Sequence, residues 1–341
     1  MSKKISSGLF FSKTKDFLDT YLSKQCNKSL HTVKAYRDVL TVFRHFITDE
    51  TTFSIGTFRF SDCTYDFVLD FMVYLKEEKH YAENSCNQRL AAVKAYLSYT
   101  ADTDITLQQI ALSISRVPFQ KVPQKNRSII ADDALSAMME SPADSRLGIR
   151  DRTILILLFD SAVRLNELLS LKVSDINLRQ ANPYLRIYGK GDKERIVAVT
   201  ERTVKHLKLY MRYYHSKSEG SHPFFYTVIK GHTNTMSPGN VERIVKKYAD
   251  ITRHKYPDLP KSVYPHMFRR TRATGLYQDG VELELVSRIL GHSSTETTRI
   301  YAAPSIDMLR KAMEDKTNGI PEEKPLWEGK EDELARLCGL R

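Results

Sequence analysis

The chain has 341 residues, 41% hydrophobic and 27% charged, which is long enough for two domains with their own cores and has the composition of an ordinary globular protein. Its net charge of +11 and pI near 9.3 point to a polyanionic partner, nucleic acid or an anionic membrane surface, although a merely solvated basic surface would give the same sum. No run of about 18 apolar residues and no signal-peptide core is present, so no membrane partner and a cytoplasmic location are expected; Cys26, Cys63, Cys86 and Cys338 form no Cys-x-x-Cys pair, which argues against a zinc site or a disulfide framework.

Taken in chain order, the predicted elements begin with a small helical bundle. A first helix is expected near Thr14–Ser23. From Ser29 to Ile47, residues Val33, Tyr36, Leu40, Phe43 and Ile47 recur at helical spacing. Helices over Tyr65–Lys79 and Ser85–Tyr99 follow, the second with a stripe of Cys86, Leu90, Val93 and Leu97, and a short one near Leu107–Ser113 closes the bundle. Residues 116–127 carry prolines at 118 and 123 with several cations; they exclude a continuous helix and suit a linker along a phosphate backbone. The second domain opens with a helix near Ala131–Glu140 and the apolar, buried Thr153–Phe159, then a helix over Arg164–Leu171. Tyr184–Tyr188 and Arg195–Val199 are predicted strands joined by the turn Gly189-Lys190-Gly191-Asp192-Lys193. Ser237-Pro238 is an N-cap and first-turn signal for a helix through Thr252, and from Pro265 the chain is mostly helical up to a polar segment bearing Tyr301. Beyond it, Ile306–Lys316 is a predicted helix, Asn318-Gly319-Ile320-Pro321 a break, and Glu331–Leu340 a helix with Leu334, Leu337 and Cys338 on one side.

One stretch concentrates chemistry: His266 and Arg269, then Leu290-Gly291-His292, then Tyr301 nine positions (301 − 292) further on. An Arg offers a planar fork of donors that matches the non-bridging oxygens of a phosphate, and a His moves protons near neutrality. Tyr, with a pKa of roughly 10, is a weak nucleophile that needs such neighbours. Each residue also has an ordinary reading. Arg164 and Glu167 are spaced for a helix ion pair, Lys190 for a solvated turn, His266 for a buried core histidine, His292 for a helix cap, and any one of 18 tyrosines for packing. Two histidines without a Cys or carboxylate constellation make a poor zinc site.

Together with Ser161-Ala162-Val163-Arg164-Leu165-Asn166-Glu167-Leu168 and Gly189-Lys190-Gly191-Asp192-Lys193-Glu194-Arg195, these boxes resemble, in order, those of the tyrosine recombinase, or phage integrase, family. The resemblance covers roughly residues 125–305 strongly and the N-terminal part loosely, through Thr32–Tyr36 and Asn87–Leu90; Arg270 stands where many relatives carry a His. It implies a mainly α fold with a small β-sheet: an N-terminal helical, SAM-like core-binding bundle (1–115), the linker (116–127), an α+β catalytic domain (128–305) and a helical tail (306–341) exchanged between protomers. It further implies that Arg164 and Arg269 hold the scissile phosphate and that Glu167 pairs with Arg164 or holds a catalytic His. Lys190, preferred over Lys193, would protonate the leaving 5′ oxygen from the minor groove. His266 would take the tyrosine proton or contact phosphate, His292 would bind a non-bridging oxygen, and Tyr301 would attack to give a 3′-phosphotyrosyl enzyme. No metal, ATP or other cofactor is implied. The implied partners are double-stranded DNA with short inverted-repeat sites, three further copies in a tetrameric synapse, and an accessory directionality factor or a heteromeric recombinase partner, in a nucleoid-associated location. Lys34, Arg37, Arg89, Lys94, Lys121, Lys125, Lys193, Arg270 and Arg272 are candidate DNA contacts. A nicking and resealing enzyme of the type IB topoisomerase kind, or a catalytically silent DNA-binding accessory protein, are the alternatives; integration, resolution and transposition share the same chemistry.

Overall fold

A computed structural model describes residues 6, 8–123, 128–178, 182–189, 194–292, 294–301, 304, 308–310 and 329–340. The fold is mainly helical with two small antiparallel sheets, and the chain divides into two compact units, Met1–Asn126 and Arg127–Arg341. Among the described residues no helix is long and apolar enough to cross a membrane.

In the first unit a 3₁₀ turn, Phe10–Lys13, runs into a π-helical segment, Asp16–Gln25, followed by α1 (Leu30–Glu50), α2 (Tyr65–Glu77), α3 (Glu83–Thr103) and α4 (Gln108–Ser115). Ser29 and Thr64 cap α1 and α2 by accepting from backbone N–H groups three residues on, as their position before an apolar period predicts. The core is aromatic. Fully buried Phe10 has the rings of Phe43, Phe58, Phe60 and Tyr96 5.3–5.5 Å away, and the Tyr96 hydroxyl donates to the Phe10 carbonyl. Behind α4 the chain is tied to α3: Asn87 donates to the Gln120 carbonyl at 2.9 Å and accepts from its N–H at 2.8 Å, and Lys94 donates to the carbonyls of Ser115 and Val117. The start of the expected linker is therefore held on the bundle.

The second unit contains α5 (Asp132–Glu140), α6 (Arg146–Asp160), α7 (Leu165–Ser170), β1 (Ile176–Asn177), β2 (Tyr184–Tyr188), β3 (Glu194–Ala198), α8 (Glu201–Tyr214), β4 (Tyr226–Ile229), β5 (His232–Thr235), α9 (Pro238–Arg253), α10 (Pro265–Gln278), α11 (Leu283–Leu290), α12 (Glu296–Arg299) and α13 (Glu331–Leu337). The apolar α6 lies inside it, as its Thr153–Phe159 run requires. Strand order is β1-β2-β3, with Leu185 opposite Val197 and Ile187 opposite Arg195. Directly opposed residues share a face, so Arg195 lies on the inner face with buried Ile187 and Val197, while Ile196 points outward, 63% exposed. This inverts the usual polarity of a strand and calls for a buried partner. Helix α8, the short β1 and the β4–β5 hairpin lie outside the elements expected from the sequence; the hairpin's turn residues Lys230 and Gly231 both have positive φ. The helix expected over 306–316 lies largely, and the break at 318–321 wholly, outside the described residues. The last helix, α13, buries none of its side chains.

Candidate active site

Arg195 finds its partner in Glu167. Glu167 stands in the first turn of α7, and its buried carboxylate accepts from the Arg164 N–H at 2.8 Å and the Arg164 guanidinium at 2.7 Å. Arg195 adds a two-pronged pair from β3, at 3.0 and 2.8 Å. Arg164 occupies the N-cap position with extended backbone, which keeps its side chain off the helix and 42% exposed. Burial works against the Glu167 charge, but the hydrogen bonds from Arg195 and Arg164 outweigh it and hold the carboxyl at about 2. The residue missed from sequence is Arg195, whose partner lies 28 positions away.

Arg269 comes from the second turn of α10, which Pro265 starts at its first position. It is fully buried, and no carboxylate lies within ion-pair distance of it among the described residues. Its Nη1 donates to the Ala162 carbonyl and its Nη2 to the Leu290 carbonyl, both at 2.6 Å. Ala162 follows the C-terminus of α6, and Leu290 ends α11, so two helix ends with orphan carbonyls and negative dipole poles converge on this cation. Ala162 adopts φ +48, a left-handed conformation that costs an alanine roughly 1–2 kcal/mol. Burial, then the nearby Arg164, pull the Arg269 pKa below its ordinary value without neutralising it at pH 7, and its Nε–H has no hydrogen-bond partner.

The Leu-Gly-His box is a helix terminator. Gly291 has φ +64; its N–H donates to the Arg288 carbonyl and the His292 N–H to the Ser287 carbonyl, the paired bonds of a Schellman motif. A methyl group at Gly291 would also stand 2.8 Å from Cδ, Nε and Cζ of Arg195, so a side chain there would strain the backbone and displace Arg195. The motif delivers His292 next to Arg269. Arg269 Nη2 lies 2.9 Å from His292 Nε2, and because a guanidinium only donates, Nε2 accepts. The proton then sits on Nδ1, 2.8 Å from the hydroxyl of Thr298 on α12, a second residue that sequence reasoning missed. Tyr301 follows, 3% exposed and packed with Ala162, Ala273, Val286 and Leu290; its ring stacks on His292 at 6.0 Å, and its hydroxyl lies 3.3 Å from His266 Nε2. His266 is exposed in the first turn of α10.

Burial, then Arg269 and Arg164, lower the His292 pKa from 6.5 to about 4. The unfolded chain takes up a proton near pH 6.5 that the folded site refuses until about pH 4, so this contribution to stability is complete above 6.5 and is lost as the pH falls towards 4. Glu167 has the same sign, complete above 4.5 and lost towards 2. Urea midpoints are therefore expected to fall between pH 7 and 4, and to fall less in a His292→Gln protein; identical pH dependence in the two proteins would refute a neutral His292.

Of the nine candidate DNA contacts, Lys34, Arg37 and Lys121 are exposed, with Arg37 3.4 Å from Asp19. Arg89 lies over the Tyr81 ring at 3.9 Å, and Lys94 is engaged with the carbonyls behind α4. Arg270 is buried, its head on the hydroxyl of Tyr264, and Arg272 pairs with Asp160 at 3.6 Å. Lys125, Lys190 and Lys193 lie outside the described residues.

The family model described as "Phage integrase family" matches residues 128–307, and the "Phage integrase SAM-like domain" matches residues 10–114. The chain is 30% identical to the tyrosine recombinase XerC of Chlamydia trachomatis serovar L2, over 89% of this chain and 96% of that one, and 27% identical to XerC of Staphylococcus haemolyticus, over 85% and 92%. Its fold is similar to that of the XerH site-specific recombinase bound to palindromic difH substrate (TM-score 0.64, 24% identity, 87% of this chain and 83% of that one). It is also similar to that of the Tn1549 transposon integrase in complex with transposon right end DNA (TM-score 0.64, 17% identity, 89% and 98%). With its boxes in order and a family model spanning more than half its length, the chain belongs to the phage integrase family and is a tyrosine recombinase, a site-specific DNA strand-transferring enzyme.

Proposed function

We propose that this chain recombines short, partly palindromic sites in duplex DNA, with Tyr301 as nucleophile and a free 5′-hydroxyl as the leaving group. The observation that carries the reading is the convergence of the Tyr301 hydroxyl, His266, His292, Arg269 and Arg164 around one corner of the second unit. His266 takes the phenolic proton as Tyr301 attacks. Arg164, partly exposed, and Arg269, with an unmatched Nε–H, stabilise the charge that spreads over the non-bridging oxygens. His292 donates to one of them once the phosphate's charge favours its protonation. Lys190, assigned from sequence, protonates the leaving oxygen. The phosphotyrosyl bond conserves the energy of the broken phosphodiester, so rejoining needs neither metal nor ATP.

Both units bind the DNA, with Lys34, Arg37 and Lys121 among the phosphate contacts, so affinity falls steeply with salt. Four protomers form the synapse. The apolar stripe of α13, half-buried Leu334 and exposed Leu337, docks on a neighbouring protomer. Deleting residues 324–341 is then expected to abolish synapsis in a native-gel assay while a single protomer still shifts its site; unaltered recombination by the shortened protein would sink this arrangement. The chemistry is tested by incubating the protein with a nicked duplex site in the presence of a chelator and mapping the DNA–peptide adduct by mass spectrometry. An adduct on Tyr301 is expected, and one on a different residue would overturn the assignment.

A further inference from the structure

We propose that Arg195 is a positioning residue for strand cleavage, one that joins β3 to the two corners carrying Arg164 and His292. The inference rests on the recombinase reading above. Arg195 belongs to β3, and Ile187, opposite it in the sheet, is buried, so the register turns its guanidinium inward. One edge of that guanidinium makes both hydrogen bonds to Glu167, at 3.0 and 2.8 Å. Its other side lies so close to Gly291 that no Cβ fits between them. Arg195 is thus wedged between the carboxylate that orients Arg164 and the glycine that delivers His292. Loss of the wedge frees three segments at once.

Its second effect is on charge. Arg164 on α7, Arg195 on β3 and Arg269 on α10 are the cations that act with Glu167, and Arg195 supplies the strongest of the hydrogen-bonding contributions that keep this buried group ionised. Without Arg195, burial is opposed chiefly by Arg164, and the carboxyl protonates at a higher pH. A protonated Glu167 no longer accepts from both the Arg164 N–H and its guanidinium.

The test compares wild type, Arg195→Met and Arg195→Lys on nicked duplexes carrying a site that the wild-type protein selects from a randomised pool. DNA binding is measured by gel shift and the rate of Tyr301 adduct formation from pH 5 to 9. Arg195→Met should bind as the wild type does and cleave about a hundred-fold more slowly. The ratio of its rate to the wild-type rate should fall further as the pH is lowered. Arg195→Lys, which keeps the charge but not the two-pronged geometry, should flatten that ratio and recover only part of the rate. A wild-type rate in Arg195→Met overturns the inference, and so does a slow rate whose ratio to wild type is the same at every pH. If Arg195→Met does not fold, Arg195→Lys decides, since a wild-type rate there overturns the inference. A wild-type protein that forms no adduct on Tyr301 overturns the recombinase reading itself, which separates the two failures.

Discussion

Replacing Tyr301 with Phe is expected to lower covalent adduct formation by at least about 10⁴-fold while leaving folding and DNA binding nearly unchanged. The separation of the two effects follows from how the side chain is held. The ring is 3% exposed, packs against Ala162, Ala273, Val286 and Leu290, and stacks on His292; a phenylalanine keeps all of this. The hydroxyl lies 3.3 Å from His266 Nε2, and loss of that hydrogen bond costs at most about 1 kcal/mol. In the proposed reaction the phenol has no replacement, because the other side chains gathered at this corner are cations, imidazoles, a carboxylate already held by two arginines and the buried hydroxyl of Thr298, which is engaged with His292. Denaturing electrophoresis of a trapped nicked substrate checks the first effect and a gel shift the second. Adducts forming at the wild-type rate in Tyr301→Phe would place the nucleophile elsewhere, whereas loss of DNA binding would mean that the phenol holds the fold.

What the sequence made legible is mostly punctuation. Arg164 is at a helix N-cap, His266 follows a proline that starts a helix, and His292 follows the glycine of a Schellman motif; each sits where a short local signal ends or begins an element. The places of candidate side chains at element ends can therefore be read from local signals. Arg195 and Thr298 are different. Arg195 looks like any cation beside a hairpin turn until the pairing of β2 with β3 turns it inward onto Glu167, and Thr298 looks like one more hydroxyl in a polar segment until α12 buries it beside His292. Their roles arise from contacts between elements, which no local window contains. The same holds for Lys94: its position on a helix surface suits a phosphate contact, but its ammonium is directed to the carbonyls of Ser115 and Val117. Helix α8 was within reach, since Thr200 caps it and Val204, Leu207 and Tyr210 recur at helical spacing.

Arg269→Lys is expected to be the most damaging substitution that preserves charge. The guanidinium serves three acceptors from a fixed plane: the carbonyls of Ala162 and Leu290, each at a helix C-terminus, and Nε2 of His292. An ammonium is a single nitrogen on a narrower stem and cannot span helix ends that Arg269 reaches with separate nitrogens. One buried carbonyl is then left without its donor, at a cost of about 1–3 kcal/mol, which should appear as a lower midpoint in urea. On the proposed mechanism catalysis should fall more steeply, by about 10²–10³-fold, because the proposed donor to the phosphate is lost together with the anchor that turns Nε2 of His292 into an acceptor. His292 reports on this independently. Its pKa is held near 4 by burial first and by the Arg269 charge next; a lysine keeps that charge but withdraws the hydrogen bond donated to the neutral Nε2, so the histidine's titration midpoint should rise, an effect visible in the imidazole proton shifts by NMR. A lysine variant with unaltered cleavage and an unaltered His292 titration would show that the fork is dispensable; a raised midpoint with slow cleavage ties the protonation state of His292 to the buried cation between two helix ends.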